Sequence, residues 1–130
     1  MSDTLNFGHI IVGTGQATGT LLSKLIPTGE SIAVIEGGSI GDTCVNVGCT
    51  PTKALVASAK VAHMVRRAAE YGVQTPSPSI DFGAVRDRMN RIRHNSRDGL
   101  TGFIENAENV TLIRGLASFE SNHVVNVDGQ

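Results

Sequence analysis

Residues 7–36 have the sequence FGHIIVGTGQATGTLLSKLIPTGESIAVIE, and the pattern in this stretch sets the architecture of the chain. β-Branched residues between turn formers predict a short buried strand from Phe7 to Val12. Gln16 to Ile26 predicts a helix that stops before a proline and buries one side, formed by Ala17, Leu21, Leu22 and Leu25. Ser31 to Ile35 predicts a second apolar strand. The order strand, helix, strand is typical of a βαβ unit with parallel strands.

A glycine pair and a carboxylate lie at the positions expected for a dinucleotide-binding site. Gly13 permits a tight turn after the first strand, and Gly15 lets backbone amides approach a pyrophosphate at the helix N-terminus. Glu36 lies about 20 residues further on, where a carboxylate can accept hydrogen bonds from a ribose. Gln16 and Ala17, the first helical residues, complete this candidate cofactor-binding turn. An ordinary strand–turn–helix without a nucleotide is the alternative.

The chain's only two cysteines lie in residues 43–53, TCVNVGCTPTK. Cys44 and Cys49 can form a bond if the loop between them bends back. Pro51 fits a first helical turn, which would put Cys49 at the positive end of a helix and favour its thiolate. Lys53 follows one helical turn later on the same face. A dithiol/disulfide couple is therefore predicted. Buried apolar cysteines, or a metal site completed by a histidine, are the alternatives.

Length, charge and composition narrow the class of protein. With 130 residues, 40% hydrophobic residues and a net charge of −1, the chain suits one globular domain and not a disordered segment. The balanced charge predicts no nucleic-acid partner. The N-terminus lacks a basic region and the apolar runs are short, so neither a signal peptide nor membrane association is predicted. We therefore expect a cytoplasmic protein, in a reducing compartment where a lone cysteine pair is more often catalytic or metal-binding than a structural crosslink.

Two long helices are predicted after the cysteines. The first runs from near Cys44 to Ala69, and Tyr71 to Ser79 forms a connector that contains proline and serine. Asp81 can cap the second helix, whose apolar side comprises Val85, Met89, Ile92, Leu100, Phe103 and Ala107. This helix also carries five arginines that are expected to form its solvent-facing side and not a nucleic-acid surface: Arg86, Arg88, Arg91, Arg93 and Arg97.

The end of the chain predicts three short strands, Val110 to Ile113, Ala117 to Glu120 and His123 to Val127. Asp128-Gly129 is a hairpin-turn dipeptide, and the sequence stops one residue later. A hairpin without its return strand leaves an unpaired edge. This pattern predicts that the chain is a fragment of a longer protein.

The cysteine segment and the glycine–glutamate pattern before it together resemble one family, the FAD-dependent pyridine nucleotide–disulfide oxidoreductases. Thr43 to Lys53 is similar to the redox-active box of this family, and Ile10 to Glu36 is similar to its FAD-binding start. The form from Cys49 to Ala54 is most similar to mercuric reductase within the family. The resemblance implies a Rossmann-like α/β FAD-binding domain over residues 1–130, with a parallel sheet flanked by helices and incomplete at its C-terminus. The nicotinamide-binding and dimerisation domains would lie beyond it.

The resemblance also implies how electrons would move in the full-length parent. NADH or NADPH would reduce FAD, and FAD would reduce a Cys44–Cys49 disulfide. Cys49 would lie beside the flavin, and Cys44 would attack the substrate, a small disulfide or a metal ion. Lys53 would lie near a flavin ring nitrogen. The parent would be a homodimeric enzyme, and residues 1–130 alone would be inactive.

Further residues of this chain match the family's contacts with FAD. Gly41 matches the first glycine of the pair that precedes the redox-active box in the family. By this resemblance, Gly13 and Gly15 would contact the pyrophosphate of FAD, and Glu36 would contact its adenosine ribose. Thr43 would lie along the pyrophosphate–ribityl part, and Gly115 and Ala117 would lie at the adenosine end.

Two positions depart from the family's pattern. The third glycine of the fingerprint is replaced by Thr18, whose side chain is expected to push the helix slightly outward. The second glycine before Thr43 is replaced by Asp42, whose carboxylate would repel a diphosphate. We expect FAD affinity to be weakened and not abolished. The alternative function is a non-catalytic remnant domain that binds FAD or a soft metal through its dithiol.

Overall fold

The computed structural model describes residues 4–128 and contains a parallel three-stranded sheet. Ile11 lies opposite Val34 and Val34 opposite Leu112, so the second strand lies between the other two. The carboxyl ends of all three strands meet at one edge of the sheet, and the loops at this edge carry the candidate site. The strands are β1 (His9–Val12), β2 (Ile32–Glu36) and β3 (Val110–Arg114).

Four α-helices and a short antiparallel ribbon complete the described part of the chain. The helices are α1 (Gln16–Leu25), α2 (Asp42–Asn46), α3 (Cys49–Arg66) and α4 (Phe82–Glu105). Short 3₁₀ turns, Ile26–Thr28 and Ala68–Tyr71, follow α1 and α3. The ribbon pairs β4 (Ala117–Phe119) with β5 (Val125–Val127). The predicted α/β fold, a parallel sheet flanked by helices, is confirmed, and every predicted strand is present within about two residues of its expected ends.

The main core lies between the sheet and helices α1 and α4. Strand β2 is buried from Ile32 to Ile35, as expected for the central strand of a parallel sheet. Leu22 of α1 and Ile104 of α4 are fully buried in the same cluster. Each such side chain stabilises the fold by about 1.5–3 kcal/mol relative to its exposed state. Because α1 packs against the sheet, its N-terminus is held next to the turn that follows β1.

The buried side of α1 differs from the predicted one. Ala17 and Leu21 are exposed, whereas Thr18 is 5% exposed and Leu22 is fully buried. The Thr18 hydroxyl donates a hydrogen bond to the Gly13 carbonyl oxygen at 3.0 Å. The prediction is confirmed for Leu22 and Leu25, which lie in or against the core, and was wrong for Ala17 and Leu21. It missed Thr18 because it assigned only apolar residues to the buried side. A hydroxyl with an internal partner can be buried at little cost.

The predicted single helix from Cys44 to Ala69 is in fact the two helices α2 and α3. Val47 and Gly48 separate them, and Gly48 has φ −118° and ψ −107°, outside the helical region. A Cβ at Gly48 would lie 3.0 Å from the Thr43 carbonyl oxygen, so the chain turns too tightly here for most side chains. The apolar periodicity did not reveal this turn. Its consequence is that the two cysteines lie on different helices.

Helix α4 begins where the sequence predicts. The Asp81 carboxylate accepts a hydrogen bond from the Ala84 amide at 3.0 Å and caps the helix. Of the connector predicted from Tyr71 to Ser79, Tyr71 ends a 3₁₀ turn and the remaining residues contain neither helix nor strand, as expected.

The arginines of α4 do not all face solvent. Arg88 donates a hydrogen bond to the Ala54 carbonyl oxygen of α3 at 3.0 Å. Arg93 donates one to the Asn46 carbonyl oxygen of α2 at 3.4 Å. The prediction of a solvent-facing side was therefore wrong for these two residues, since both reach the helices that bear the cysteines.

The predicted hairpin turn lies partly outside the described residues. Asp128 has φ +50°, a conformation found in tight turns, whereas Gly129 is not described. Within residues 4–128, none of the helices combines the length and the apolar character that a membrane crossing requires.

Candidate functional site

A glycine turn at the carboxyl end of β1 leaves open space in front of helix α1. Gly13 has φ +90°, and a Cβ added there would meet no described atom within 4 Å. Gly15 is the N-cap of α1, and its added Cβ would come near an Asp42 carboxylate oxygen, at 3.8 Å. Gln16 and Ala17 form an exposed first turn. Free amides at a helix start with open space before them fit the pyrophosphate of a dinucleotide.

The Glu36 carboxylate lies beside this turn. Its Oε2 accepts hydrogen bonds from the Thr14 amide, at 2.9 Å, and from the Thr14 hydroxyl. Its Oε1 accepts a hydrogen bond from the Gly38 amide at 2.7 Å. The structure therefore brings the predicted ribose acceptor next to the predicted pyrophosphate turn.

Thr14 is a residue of this site that the sequence analysis missed. Its side chain is completely buried, at 0% exposure, and its hydroxyl accepts a hydrogen bond from the Gly41 amide at 3.0 Å. The middle position of a Gly-x-Gly turn accepts many residue types, so the sequence alone carries no signal for it. The fold shows that the hydroxyl connects Glu36 to Gly41.

Gly41 and Asp42 form a left-handed turn at the start of α2. Gly41 has φ +91°, and a Cβ there would lie 2.6 Å from the Val45 Cβ, so the position requires glycine. Asp42 has φ +50°, a conformation that glycine adopts more easily than aspartate. The Thr43 hydroxyl donates a hydrogen bond to Asp42 Oδ1 at 3.3 Å. An anionic ligand at the glycine turn would therefore meet a carboxylate that already engages Thr43.

The two cysteines form a disulfide bond across the break between α2 and α3. Cys44 lies in α2 and Cys49 is the first residue of α3, with their Cα atoms 4.7 Å apart. Asn46 stabilises this segment, because its Nδ2 donates to the Ile40 and Asp42 carbonyl oxygens, both at 2.9 Å. Within the described range, no group of three or more His, Cys, Asp or Glu side chains is placed to bind a metal ion.

The disulfide is accessible from the side of α3. Cys49 is exposed and Cys44 is half-buried. Lys53 is also exposed, one helical turn after Cys49 on the same face. Pro51 is buried in the first turn of α3, as predicted for its position. A sulfur and an ammonium group therefore border the same open surface.

The two remaining candidates lie after β3. The Gly115 amide donates a hydrogen bond to the Glu36 carbonyl oxygen at 3.0 Å. A Cβ at Gly115 would lie 2.5 Å from atoms of Val127 and Asp128, so this crossing point needs glycine. Ala117 is half-buried in β4, opposite Val127. Gly115 is thus adjacent to Glu36, whereas Ala117 belongs to the ribbon.

Comparison with known proteins finds relatives of one kind. The chain is 32% identical to dihydrolipoyl dehydrogenase of Chlamydia pneumoniae over 127 residues, which is 98% of this chain and 27% of that protein. It is 32% identical to mercuric reductase of Shigella flexneri over 120 residues, which is 88% of this chain and 21% of that protein. The chain is a relative of the pyridine nucleotide–disulfide oxidoreductases. No protein-family model matches it.

Solved structures of this oxidoreductase family agree with the sequence relatives. The HOCl-induced flavoprotein disulfide reductase RclA from Escherichia coli superposes with a TM-score of 0.72 and 30% identity, over 93% of this chain and 24% of that one. A Cu(II) complex of a mutant of the same protein gives a TM-score of 0.75 and 28% identity, over 95% of this chain and 25% of that one. Family members are enzymes that use FAD and NAD(P)H. The chain spans about a quarter of the length of the relatives it matches.

Proposed function

We propose that residues 1–130 are the FAD-binding, disulfide-bearing part of a disulfide oxidoreductase. The observation that carries this proposal is the Cys44–Cys49 disulfide at the start of α3. Cys44 lies two residues after Asp42, whose carboxylate is next to the open glycine turn, so the thiols and the candidate nucleotide site are neighbours. In the full-length parent, electrons would pass from NAD(P)H through FAD to this disulfide and then to the substrate. The nicotinamide-binding and dimerisation domains would lie outside residues 1–130.

The two cysteines have different roles in this proposal. Reduced FAD, when bound, would supply the two electrons that open the disulfide. Cys49 would then carry negative charge at the N-terminus of α3, where the helix dipole favours a thiolate. The Lys53 ammonium, one turn later, would favour the same charge. Cys44 would be the thiol that attacks a substrate disulfide or binds a metal ion.

The residues that would bind FAD surround the carboxyl ends of β1, β2 and β3. The open turn at Gly13 and Gly15 fits a pyrophosphate, since an added Cβ at either position meets no described atom closer than 3.8 Å. Glu36 retains an acceptor position on Oε1 for a ribose hydroxyl. The remaining assignments, Gln16, Ala17, Gly41, Thr43, Gly115 and Ala117, follow from the family resemblance and from their places around this edge.

A second candidate function is favoured by Asp42. Its carboxylate lies at the glycine turn, where it opposes a diphosphate, and its backbone adopts a conformation that glycine favours. A non-catalytic remnant domain, which binds FAD weakly or a soft metal through its dithiol, would tolerate such a residue. Measurement of FAD affinity separates this function from the preferred one.

The substrate class follows from the relatives. Their names include mercuric reductase and dihydrolipoyl dehydrogenase, and a Cu(II) complex of RclA has been solved. We infer that the full-length parent reduces a small disulfide or a metal ion, without a nucleic-acid or membrane partner. We further propose that it is a cytoplasmic homodimer and that residues 1–130 alone do not turn over NAD(P)H.

A direct experiment tests the redox centre. The purified chain is mixed with photoreduced FAD, and opening of the disulfide is followed by alkylation and mass spectrometry. Gly15→Val is the matched control, because valine fits the extended backbone at Gly15 but fills the open turn. We expect faster disulfide opening in the wild-type chain than in the Gly15→Val variant. Equal rates would argue against a bound flavin, and two permanently free thiols would exclude the redox centre altogether.

A further inference from the structure

Thr14 has an unusual position for a residue in a phosphate-binding turn. Its side chain is fully buried and its hydroxyl has two partners from different parts of the sequence. The hydroxyl donates to Glu36 Oε2 and accepts from the Gly41 amide at 3.0 Å. The turn after β1, the end of β2 and the loop before α2 therefore meet at one oxygen atom.

The hydrogen bonds of Glu36 show what this arrangement does to the carboxylate. A carboxylate has about four acceptor positions, two on each oxygen. The Thr14 amide and hydroxyl fill both positions on Oε2, and the Gly38 amide fills one on Oε1. One acceptor position therefore stays open, on Oε1. The three donors also restrict rotation of the side chain, so this position has a defined direction.

We propose that Thr14 is a positioning residue for recognition of an adenosine diphosphate group, because its hydroxyl orients Glu36 toward the ribose. This inference rests on the proposed function and names the part of the cofactor that this chain recognises by itself. The ligand class is any compound with an adenosine ribose and a diphosphate. Recognition of such a group requires one orientation of the Glu36 side chain and a fixed Gly13–Gly15 turn. Thr14 can contribute to both, because it lies in the turn and its hydroxyl donates a hydrogen bond to the Glu36 carboxylate.

Side-chain packing alone does not explain why position 14 carries a hydroxyl group. Packing alone would accept valine at this position, since valine has nearly the same shape as threonine. Valine would leave the buried Gly41 amide without its acceptor and Glu36 Oε2 with a single donor. Serine would retain both hydrogen bonds and lose only a methyl group. A comparison of threonine, valine and serine at position 14 therefore separates the effect of the hydroxyl from the effect of side-chain volume.

The test is a titration with ADP, followed by amide NMR so that weak binding can be measured. The variants are Thr14→Val and Thr14→Ser, each in the wild-type chain and in a Glu36→Gln background. Loss of a hydrogen bond to a charged group predicts roughly tenfold weaker ADP binding for Thr14→Val and less than about threefold for Thr14→Ser. In the Glu36→Gln background, Thr14→Val should change ADP binding by less than about twofold, because the carboxylate that it orients is absent.

The possible results are distinct. A wild-type chain that does not bind ADP would overturn both this inference and the proposed nucleotide site. Equal ADP binding by the wild-type and Thr14→Val chains would overturn only the role of Thr14. An equal loss with and without Glu36 would show that Thr14 supports the fold alone, and the urea midpoint of each ligand-free variant gives the corresponding change in stability.

Discussion

Replacement of Asp42 tests whether its carboxylate weakens the binding of a diphosphate to this chain. Asp42 has φ +50°, and one of its carboxylate oxygens lies 3.8 Å from the position of a Gly15 Cβ. Asp42→Gly removes the unfavourable backbone conformation and the charge together. Asp42→Asn removes the charge alone, because asparagine also tolerates the left-handed region. The two variants therefore separate the two causes.

The charge is expected to dominate the effect on FAD binding. A phosphate oxygen bound at Gly15 would lie about 5 Å from the Asp42 carboxylate, which gives roughly 1–3 kcal/mol of repulsion at effective dielectric constants of about 20 to 80. This energy corresponds to about a fivefold to hundredfold change in Kd. The backbone contributes less, because relief of the left-handed conformation is partly offset by the greater freedom of glycine in the unfolded chain. We expect Asp42→Gly to stabilise the ligand-free chain by less than about 1 kcal/mol.

The assay is quenching of flavin fluorescence at low ionic strength, since salt screens the repulsion. Both Asp42→Asn and Asp42→Gly should bind FAD at least about fivefold more tightly than the wild-type chain. Asp87→Asn, which removes an exposed carboxylate from α4, is the control for net charge and should change nothing. If neither Asp42 variant differs from the wild-type chain, the repulsion argument is refuted. If only Asp42→Gly binds more tightly, the backbone limits binding and the charge does not.

Three further predictions concern stability, and urea unfolding measures each of them. Gly41→Ala should destabilise the chain by more than about 2 kcal/mol, because its Cβ would lie 2.6 Å from the Val45 Cβ, whereas Gly29→Ala, also at positive φ but without a neighbour within 4 Å, should cost only about 1 kcal/mol. Equal costs at the two glycines would show that the clash is unimportant. Arg88→Gln should lower the free energy of unfolding by about 1 kcal/mol, because it loses the hydrogen bond to the Ala54 carbonyl oxygen of α3. An unchanged urea midpoint would show that this hydrogen bond does not stabilise the chain. Asp81→Ala should cost about 1 kcal/mol through loss of the α4 cap, and an unchanged midpoint would show that the cap is dispensable.

The sequence predicted the parts of the fold that depend on local pattern. Continuous apolar runs marked β2 as a buried strand, and the glycine turn marked the start of α1. The helix predicted from near Cys44 to Ala69 missed the break between α2 and α3, although Gly48 and the helix start at Pro51 mark its place in the sequence. The close approach of Gly48 to the Thr43 carbonyl oxygen shows why the chain must turn there.

For the candidate site too, the sequence predicted the residues marked by local pattern and missed those whose role depends on the fold. The cysteine pair was found from its spacing and from the helix start at Pro51, both of which are local features. Thr14 was not found, because its role depends on Gly41 and Glu36, which reach it only through the pairing of β1 with β2. The contacts of Arg88 and Arg93 were missed for the same reason. A pattern of charge along one helix does not show which neighbouring helix offers a carbonyl oxygen.

The two departures from the family's glycine pattern are therefore not equivalent. Thr18 is accommodated, since it is buried and its hydroxyl bonds the Gly13 carbonyl oxygen, whereas Asp42 adds charge at the glycine turn. Thr18→Gly should lose a buried hydrogen bond, a buried methyl group and helix propensity, or about 2 kcal/mol of stability. It should not tighten FAD binding in the fluorescence assay. A Thr18→Gly chain that binds FAD as tightly as Asp42→Gly would mean that the threonine does push α1 outward and closes the Gly13–Gly15 turn.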